Sequence, residues 1–420
     1  MSQYTERSSE SWFSRLGGAI KGVFIGIIIF VIGFPVLWLN EGRAVRRSRA
    51  LKEGQGATIS IQADQVLPEN ESKLVHLTGK AETNDILSDP AFGISEVAIR
   101  LSRDGEIYQW TEDSETKEVK KLGGGVERIT TYSYSKKWVS EPVDSSEFKD
   151  PAARDSYRNT VTLLKDQVKQ AENVNLGAFT LTTEIINKIG DRKTYNFPEG
   201  FKLPEQLGPN ARIDGDYVIV TPAAANATPA PTAPPAEPSQ ATAEAATPAA
   251  TAPAPTPADV IGATRYKFSI VKPHDISLIA VQKGNTFAAY VASNGNKILE
   301  LKDGIHTADA MFAAAQASNR TLTWFLRVVG FLCMLIGLSM VFRPLSVLGD
   351  IVPFIGNIIG IGTGLLAFLI ATPCTLVTIA IAWIVYRPVL GILLLAVAAG
   401  SIYLIVKKKK ELAAAKATAA

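Results

Sequence analysis

The sequence predicts a multi-span α-helical membrane protein with a large mixed α+β extramembrane domain between the first and second spans. Three observations carry this: an uncharged apolar block from Gly22 to Leu39, a polar and charged middle from 40 to 321, and an apolar C-terminal third with only scattered charges before its last basic run. With 47% hydrophobic and 20% charged residues over 420 positions, averages alone describe an ordinary globular chain. The distribution, not the composition, is the signal.

Residues 1–18 read as a cytoplasmic N-terminal segment and 19–39 as the first transmembrane helix. About 20 apolar residues at 1.5 Å rise cross about 30 Å of hydrocarbon. A cleavable signal peptide is the competing reading, but its apolar core is shorter and ends in a small-residue cleavage motif. Here the run ends in Trp38-Leu39-Asn40-Glu41-Gly42-Arg43, so a retained anchor is expected. The second helix is placed at 322–342, with Arg327 near its start positioned to snorkel to the headgroups and Arg343 at its other end. Residues 351–386 carry no charge and are too long for one crossing. Pro353 and the glycines at 356, 360, 362 and 364 suggest an interfacial or re-entrant segment at 351–363 followed by a third helix at 364–386; a hairpin with one extra span is the alternative. Arg387-Pro388 breaks the chain before a fourth helix at 389–406, and 407–420 forms a basic cytoplasmic tail.

Lys407, Lys408, Lys409 and Lys410 set the expected topology, because basic clusters next to spans stay on the cytoplasmic side. Both termini are then cytoplasmic and 40–321 faces the periplasm or a lumen. Arg43, Arg46, Arg47 and Arg49 lie on the outer side in this arrangement and oppose it.

Within 40–321, the stretch 221–258 is almost entirely Ala, Pro and Thr, which cannot bury apolar surface and is expected to be a disordered insertion. Strand-like 216–220 and 265–271 flank it, so it should replace a loop between neighbouring strands. Alternation at Val97, Ile99 and Leu101 predicts another strand, and Lys283-Gly284-Asn285 and Asn294-Gly295 predict hairpins. Helices are expected at 152–170 and 181–189. A last one, from Thr307 with Asp309 in its first turn, should run into the second span.

Chemistry-bearing patterns are sparse. A net charge of +3 excludes nucleic-acid binding driven by electrostatics. The cysteines, Cys333 and Cys374, both lie in the apolar C-terminal third, so the domain has no disulfide. His76, His274 and His306 sit in separate segments without a metal-ligand spacing, no serine lies in a nucleophile motif, and no cofactor is implied. Gly123-Gly124-Gly125 precedes a strand-like run and reads as a hairpin loop, not a phosphate cradle. Asp85, Asp89, Glu112 and Asp113 read as turn and solvated loop. Tyr108, Trp110, Tyr132, Tyr134 and Trp138 form an aromatic group on adjacent strands: a cross-strand core ladder in the simpler reading, a partner surface in the sharper one. Gly18, Gly22 and Gly26 recur every fourth residue, as do Gly356, Gly360 and Gly364, the spacing for close helix packing. Lys21, Arg327 and Arg387 lie toward span ends, which argues against ion or proton transport.

Asn40-Glu41-Gly42-Arg43-Ala44, Pro68-Glu69-Asn70-Glu71 with Leu74-Val75-His76, Leu87-Ser88-Asp89-Pro90, Tyr108-Gln109-Trp110, Tyr132-Ser133-Tyr134 and Tyr386-Arg387-Pro388 stand in order along the chain. Together they make it resemble the LUMA family, also called transmembrane protein 43; the Ala/Pro insertion departs from a compact family domain. The resemblance implies a multi-span protein without enzymatic activity, its large domain lumenal or periplasmic. In animal relatives it implies a self-associating scaffold of the endoplasmic reticulum and inner nuclear membrane. For a bacterial chain the inner membrane, with the domain periplasmic, is the expected location. The leading functional expectation is a homo-oligomeric scaffold whose partners are the lipid bilayer and other membrane, periplasmic or lumenal proteins. The alternatives are a channel or transporter component formed by oligomerised C-terminal spans and, with less support, a membrane-anchored periplasmic hydrolase.

Overall fold

The computed structural model describes residues 3–160, 163–222 and 260–389. All but the first two residues of the Ala/Pro insertion, all but the first residue of the expected fourth helix, and the lysines at 407–410 lie outside the described residues.

Among the described residues, three helices are long and apolar enough to cross a bilayer. Helix α1 spans Trp12–Ala57, started by Ser11, whose hydroxyl accepts from Ser14 N–H. Helix α2 spans Ala308–Gly349, and Thr307 caps it with Asp309 in its first turn, as the sequence predicts. Helix α3 spans Pro353–Tyr386. Within the segment 351–363, expected to be interfacial or re-entrant, Ile351 and Val352 are non-helical and the helix begins at Pro353, in the first turn, where its missing N–H has no intrahelical partner to lose. The glycines behind it stay helical, and Gly356 and Gly360 lie against Asp350 and Ser346 at the end of α2.

Helices α1 and α2 run antiparallel, and their seam is made by glycines. A Cβ added to Gly26 would fall 2.6 Å from the Gly337 carbonyl oxygen, and one added to Gly337 would fall 2.6 Å from both the Gly26 oxygen and the Phe30 nitrogen. One added to Gly33 would meet Met334 and the Gly330 oxygen, and one added to Gly330 would meet Leu37. Both pairs, Gly26 with Gly33 and Gly330 with Gly337, are spaced seven residues apart, two turns of one helical face. Of the glycines predicted to pack, Gly26 lies in this seam and Gly22 only touches the Met340 side chain, while Gly18 and Gly364 have nothing within 4 Å.

The domain between α1 and α2 is β-rich rather than evenly mixed. Its principal strands are β2 (Leu74–Glu82), β3 (Arg100–Lys120), β4 (Val126–Val139), β5 (Tyr217–Val220), β6 (Thr264–Val271) and β7 (His274–Lys283), and β1 (Gln3–Glu10), which precedes α1, joins them from outside the domain. One sheet runs β1-β4-β3-β6-β5 and ends on Ala211–Asp214; the other is built on the β2–β7 pair. Strands β5 and β6 are antiparallel neighbours, with Val218 opposite Tyr266, so the Ala/Pro insertion joins adjacent strands as expected. The helix expected over 152–170 is only Pro151–Ser156, and Gln167–Gln170 instead pairs with β3. Asp150 and Pro151 start that helix, but β-branched Val168 sits in a strand for which β3 offers a partner. The helix expected over 181–189 is the single turn Thr183–Ile186.

Strand β7 shows why the domain sits where it does. Its run Ile276–Val281 is apolar at almost every position, the pattern of a strand covered on both faces. Ile276, Leu278 and Ala280 enter the main core with Leu77, Leu176 and Phe179. Ile279 and Val281 point to the other side, onto Ala50 and Leu51 of α1 and Met311 and Phe312 of α2. The sheet is therefore seated directly on the ends of two of the long helices.

Strands β3 and β4 continue past the domain as a hairpin, turned at Gly123 and Gly124 with φ of +88° and +82°. Strand β1 pairs along β4, from Gln3 opposite Ser133 to Glu10 opposite Val126. The tip of this extension meets the far end of the bundle. Gly123 N–H donates to Ile351 O, Lys120 Nζ donates to Asp350 at 2.6 Å, and Trp12 packs on Gly124.

Candidate functional site: an ionic junction where the helices meet the domain

The apolar run of α1 ends in Asn40, Glu41, Gly42 and Arg43, and each of the four is held by another helix. Glu41 is fully buried. Its carboxylate accepts from Arg327 Nε at 2.6 Å and Nη2 at 3.0 Å, a two-pronged pair with α2, and from Trp383 Nε1 of α3 at 2.8 Å. The Arg327 guanidinium lies 4.7 Å from the Trp324 ring centroid and 5.6 Å from that of Trp383. The Arg327 head group, expected from the sequence to snorkel, is paired here with Glu41. A buried carboxylate requires a hydrogen-bonded countercharge, and Arg327 supplies it.

One turn on, Asn40 donates to the Thr323 carbonyl at 3.0 Å, while Arg43 donates to Asn319 Oδ1 at 3.0 Å and to Asn40 Oδ1 and Thr323 Oγ1 at 3.1 Å. Asn319 closes the ring by donating to the Ala44 carbonyl at 2.9 Å. Asn319, Thr323 and Arg327 are spaced four residues apart and so share one face of α2. Gly42 faces Tyr386 so closely that a Cβ would fall 2.7 Å from the ring carbon Cζ, and Arg49 donates to the Tyr386 carbonyl at 2.8 Å. Arg47 donates to the Lys297 carbonyl and pairs with Glu300 in the domain. Arg43, Arg47 and Arg49 are thus spent on protein partners. The junction ties three helices and the domain together; it offers charge pairing and register, and it brings no nucleophile and base together.

The other predicted residues are scattered. Tyr108, Trp110, Tyr132, Tyr134 and Trp138 share one face of the β3–β4 hairpin, with Tyr108 directly opposite Trp138 and their rings 5.2 Å apart. Tyr134 is buried, packed on Phe148 and Tyr157, and Trp110 stacks on Tyr157 at 4.0 Å. Desolvation of the Tyr134 hydroxyl, which donates to Glu112, raises its pKa. Asp89 is buried against Arg103 at 2.6 Å, Asp113 pairs with Lys137, and Asp85 accepts the Glu172 and Asn173 N–H groups, so the four acids do not converge on one cleft. His76 is held by Ser60 and the His306 carbonyl, and burial lowers its pKa; His274 pairs with Asp303. No group of three or more His, Cys, Asp or Glu that could hold a metal occurs among the described residues.

Sequence reasoning quoted Asn40–Arg43 as a motif and missed it as a site. The usable signal was the polar stripe Asn319, Thr323 and Arg327, which an otherwise apolar helix leaves without partners unless another helix supplies them.

No solved structure matches the chain. A rat protein named transmembrane protein 43 is 31% identical over 399 residues, covering 93% of this chain and 90% of its own. The human protein of that name is 30% identical over 396 residues, covering 92% and 90%, and a Drosophila melanogaster homologue is 26% identical over 382 residues, covering 88% and 90%. The profile of the transmembrane protein 43 family matches residues 107–388, from the aromatic hairpin through all of α2 and α3. The chain belongs to the transmembrane protein 43 family.

Proposed function

We propose that this chain is a membrane-embedded, self-associating scaffold that organises protein complexes at the bilayer through its β domain. The observation that carries it is the Glu41 junction together with the seating of β7 on α1 and α2: the domain is fixed to the bundle, so a partner bound to it is held at a set stance to the membrane. Integral membrane localisation is consistent with both the family and the apolar helices. Phe24, Ile28, Trp324, Phe325, Leu369 and Leu376 are each more than half exposed on the bundle, surface that lipid or a second copy would cover. Because Arg43, Arg47 and Arg49 are bound within the protein, they weigh less against placing the domain opposite Lys407–Lys410. Chemical crosslinking of the full chain in native membranes should give dimers or larger species; recovery of monomer alone at saturating reagent contradicts self-association.

A further inference from the structure

The extension formed by β1, β4 and β3 lies against the bundle in a way that lipid forbids. At about 1.5 Å per residue, Arg15 stands about 40 Å along α1 from Gly42. At about 3.3 Å per residue, β3 covers a similar distance from Ile107 to Lys120. The tip reaches the end of the bundle remote from the domain, where Arg15 and Lys120 both bond Asp350. The extension therefore runs the full height that the helices would have in a bilayer.

It is polar on both faces. Asp113, Glu115, Lys117 and Glu118 are exposed along β3, and Thr5, Glu6, Arg7, Ser8 and Ser9 are exposed along β1. A sheet facing lipid needs one apolar face and no open edge, and this one has neither. If α1 crosses, Ser11 holds the end of β1 on the side opposite the domain, while β4 issues from the domain. The eight-residue β1–β4 ladder and the inserted bundle are mutually exclusive.

We propose that β1 is an edge guard released by membrane insertion: it covers the edge of β4 over Val126–Ser133 while α1 is outside lipid, and it leaves that edge open on the domain's side once α1 crosses. The proposal rests on the membrane-embedded reading above. A strand edge with free N–H and C=O groups invites unwanted pairing, and a guard withdrawn by insertion protects it during the interval before the chain reaches its membrane. In the inserted form Asp350 keeps Arg15, which lies at the same end of the bundle, and loses Lys120.

The test uses the full chain with Cys333→Ala and Cys374→Ala, translated cell-free with or without membrane vesicles, then oxidised and carbonate-washed. Thr5→Cys with Thr131→Cys reports the β1–β4 pair, which are register partners. Thr116→Cys with Thr130→Cys, whose hydroxyls are 3.0 Å apart, is the control within the hairpin. The control disulfide should form in both samples, and the 5–131 disulfide should form only without vesicles. Equal 5–131 closure in carbonate-resistant chains, or its failure to close in both samples, overturns the proposal. Release of the whole chain by carbonate instead counts against the membrane-embedded reading.

Discussion

Replacing Glu41 by alanine should lower the unfolding free energy of the detergent-solubilised protein by about 3–5 kcal/mol, because it leaves Arg327 buried without its countercharge. Arg327 is pinned between Trp324 and Trp383 and cannot swing to water without giving up both rings. The loss also removes the acceptor of the Trp383 indole, so α3 should loosen along with α2. The double variant Glu41→Leu, Arg327→Met should recover most of the deficit, since removing both charges avoids the desolvation that one alone cannot offset. Equilibrium denaturation of the three proteins checks this. A single variant within about 0.5 kcal/mol of the parent, the usual range for an unconstrained surface change, would show that the junction contributes nothing to the fold.

The second large effect is expected at the α1–α2 seam. Gly337→Val places a branched side chain where even a Cβ would overlap the backbone of Gly26 and Phe30, and neither backbone can move without displacing a whole helix. Overpacking of this kind costs at least the upper end of about 1–3 kcal/mol. Gly18→Ala and Gly364→Ala meet open space and should stay within about 0.5 kcal/mol of the parent, or gain slightly from helix propensity. Thermal unfolding of the three variants in one detergent distinguishes the outcomes. Equal shifts at Gly337 and Gly364 would mean that the seam is not where the helices hold together.

The contrast between those glycines shows what the sequence could and could not reveal. Apolar runs of sufficient length are legible because lipid acts on every residue of a span, so helices were expected near 19–39 and 322–342 and are found there. Which face packs is not legible from one helix. The fourth-residue spacing of Gly18, Gly22 and Gly26 drew attention to one face, whereas the seam uses a seven-residue spacing that becomes visible only when Gly26 and Gly33 are set against Gly337 and Gly330. The same limit applies to Glu41 and Arg327. Each reads alone as a charge at a span end, and the pair appears only when α1 and α2 are brought together. In the domain, strands flanked by turn residues were legible, as with β5 and β6 around the insertion. The segment 152–170 was misread because its helix-forming start, Asp150-Pro151-Ala152-Ala153, is local, whereas the β3 edge that captures Gln167–Gln170 is remote in sequence.

On the function proposed above, lipid surrounds the helical bundle between the far-end Arg15–Asp350 pair and the Glu41 junction, and the domain between α1 and α2 lies on one side. Labelling of Ser14→Cys and Asn285→Cys, each in the chain lacking Cys333 and Cys374, tests it in sealed vesicles with a membrane-impermeant maleimide. Both positions are exposed, one at the far end of the bundle and one in a turn of the domain. The two should be modified from opposite sides of the vesicle; modification of both from the same side would contradict the claim.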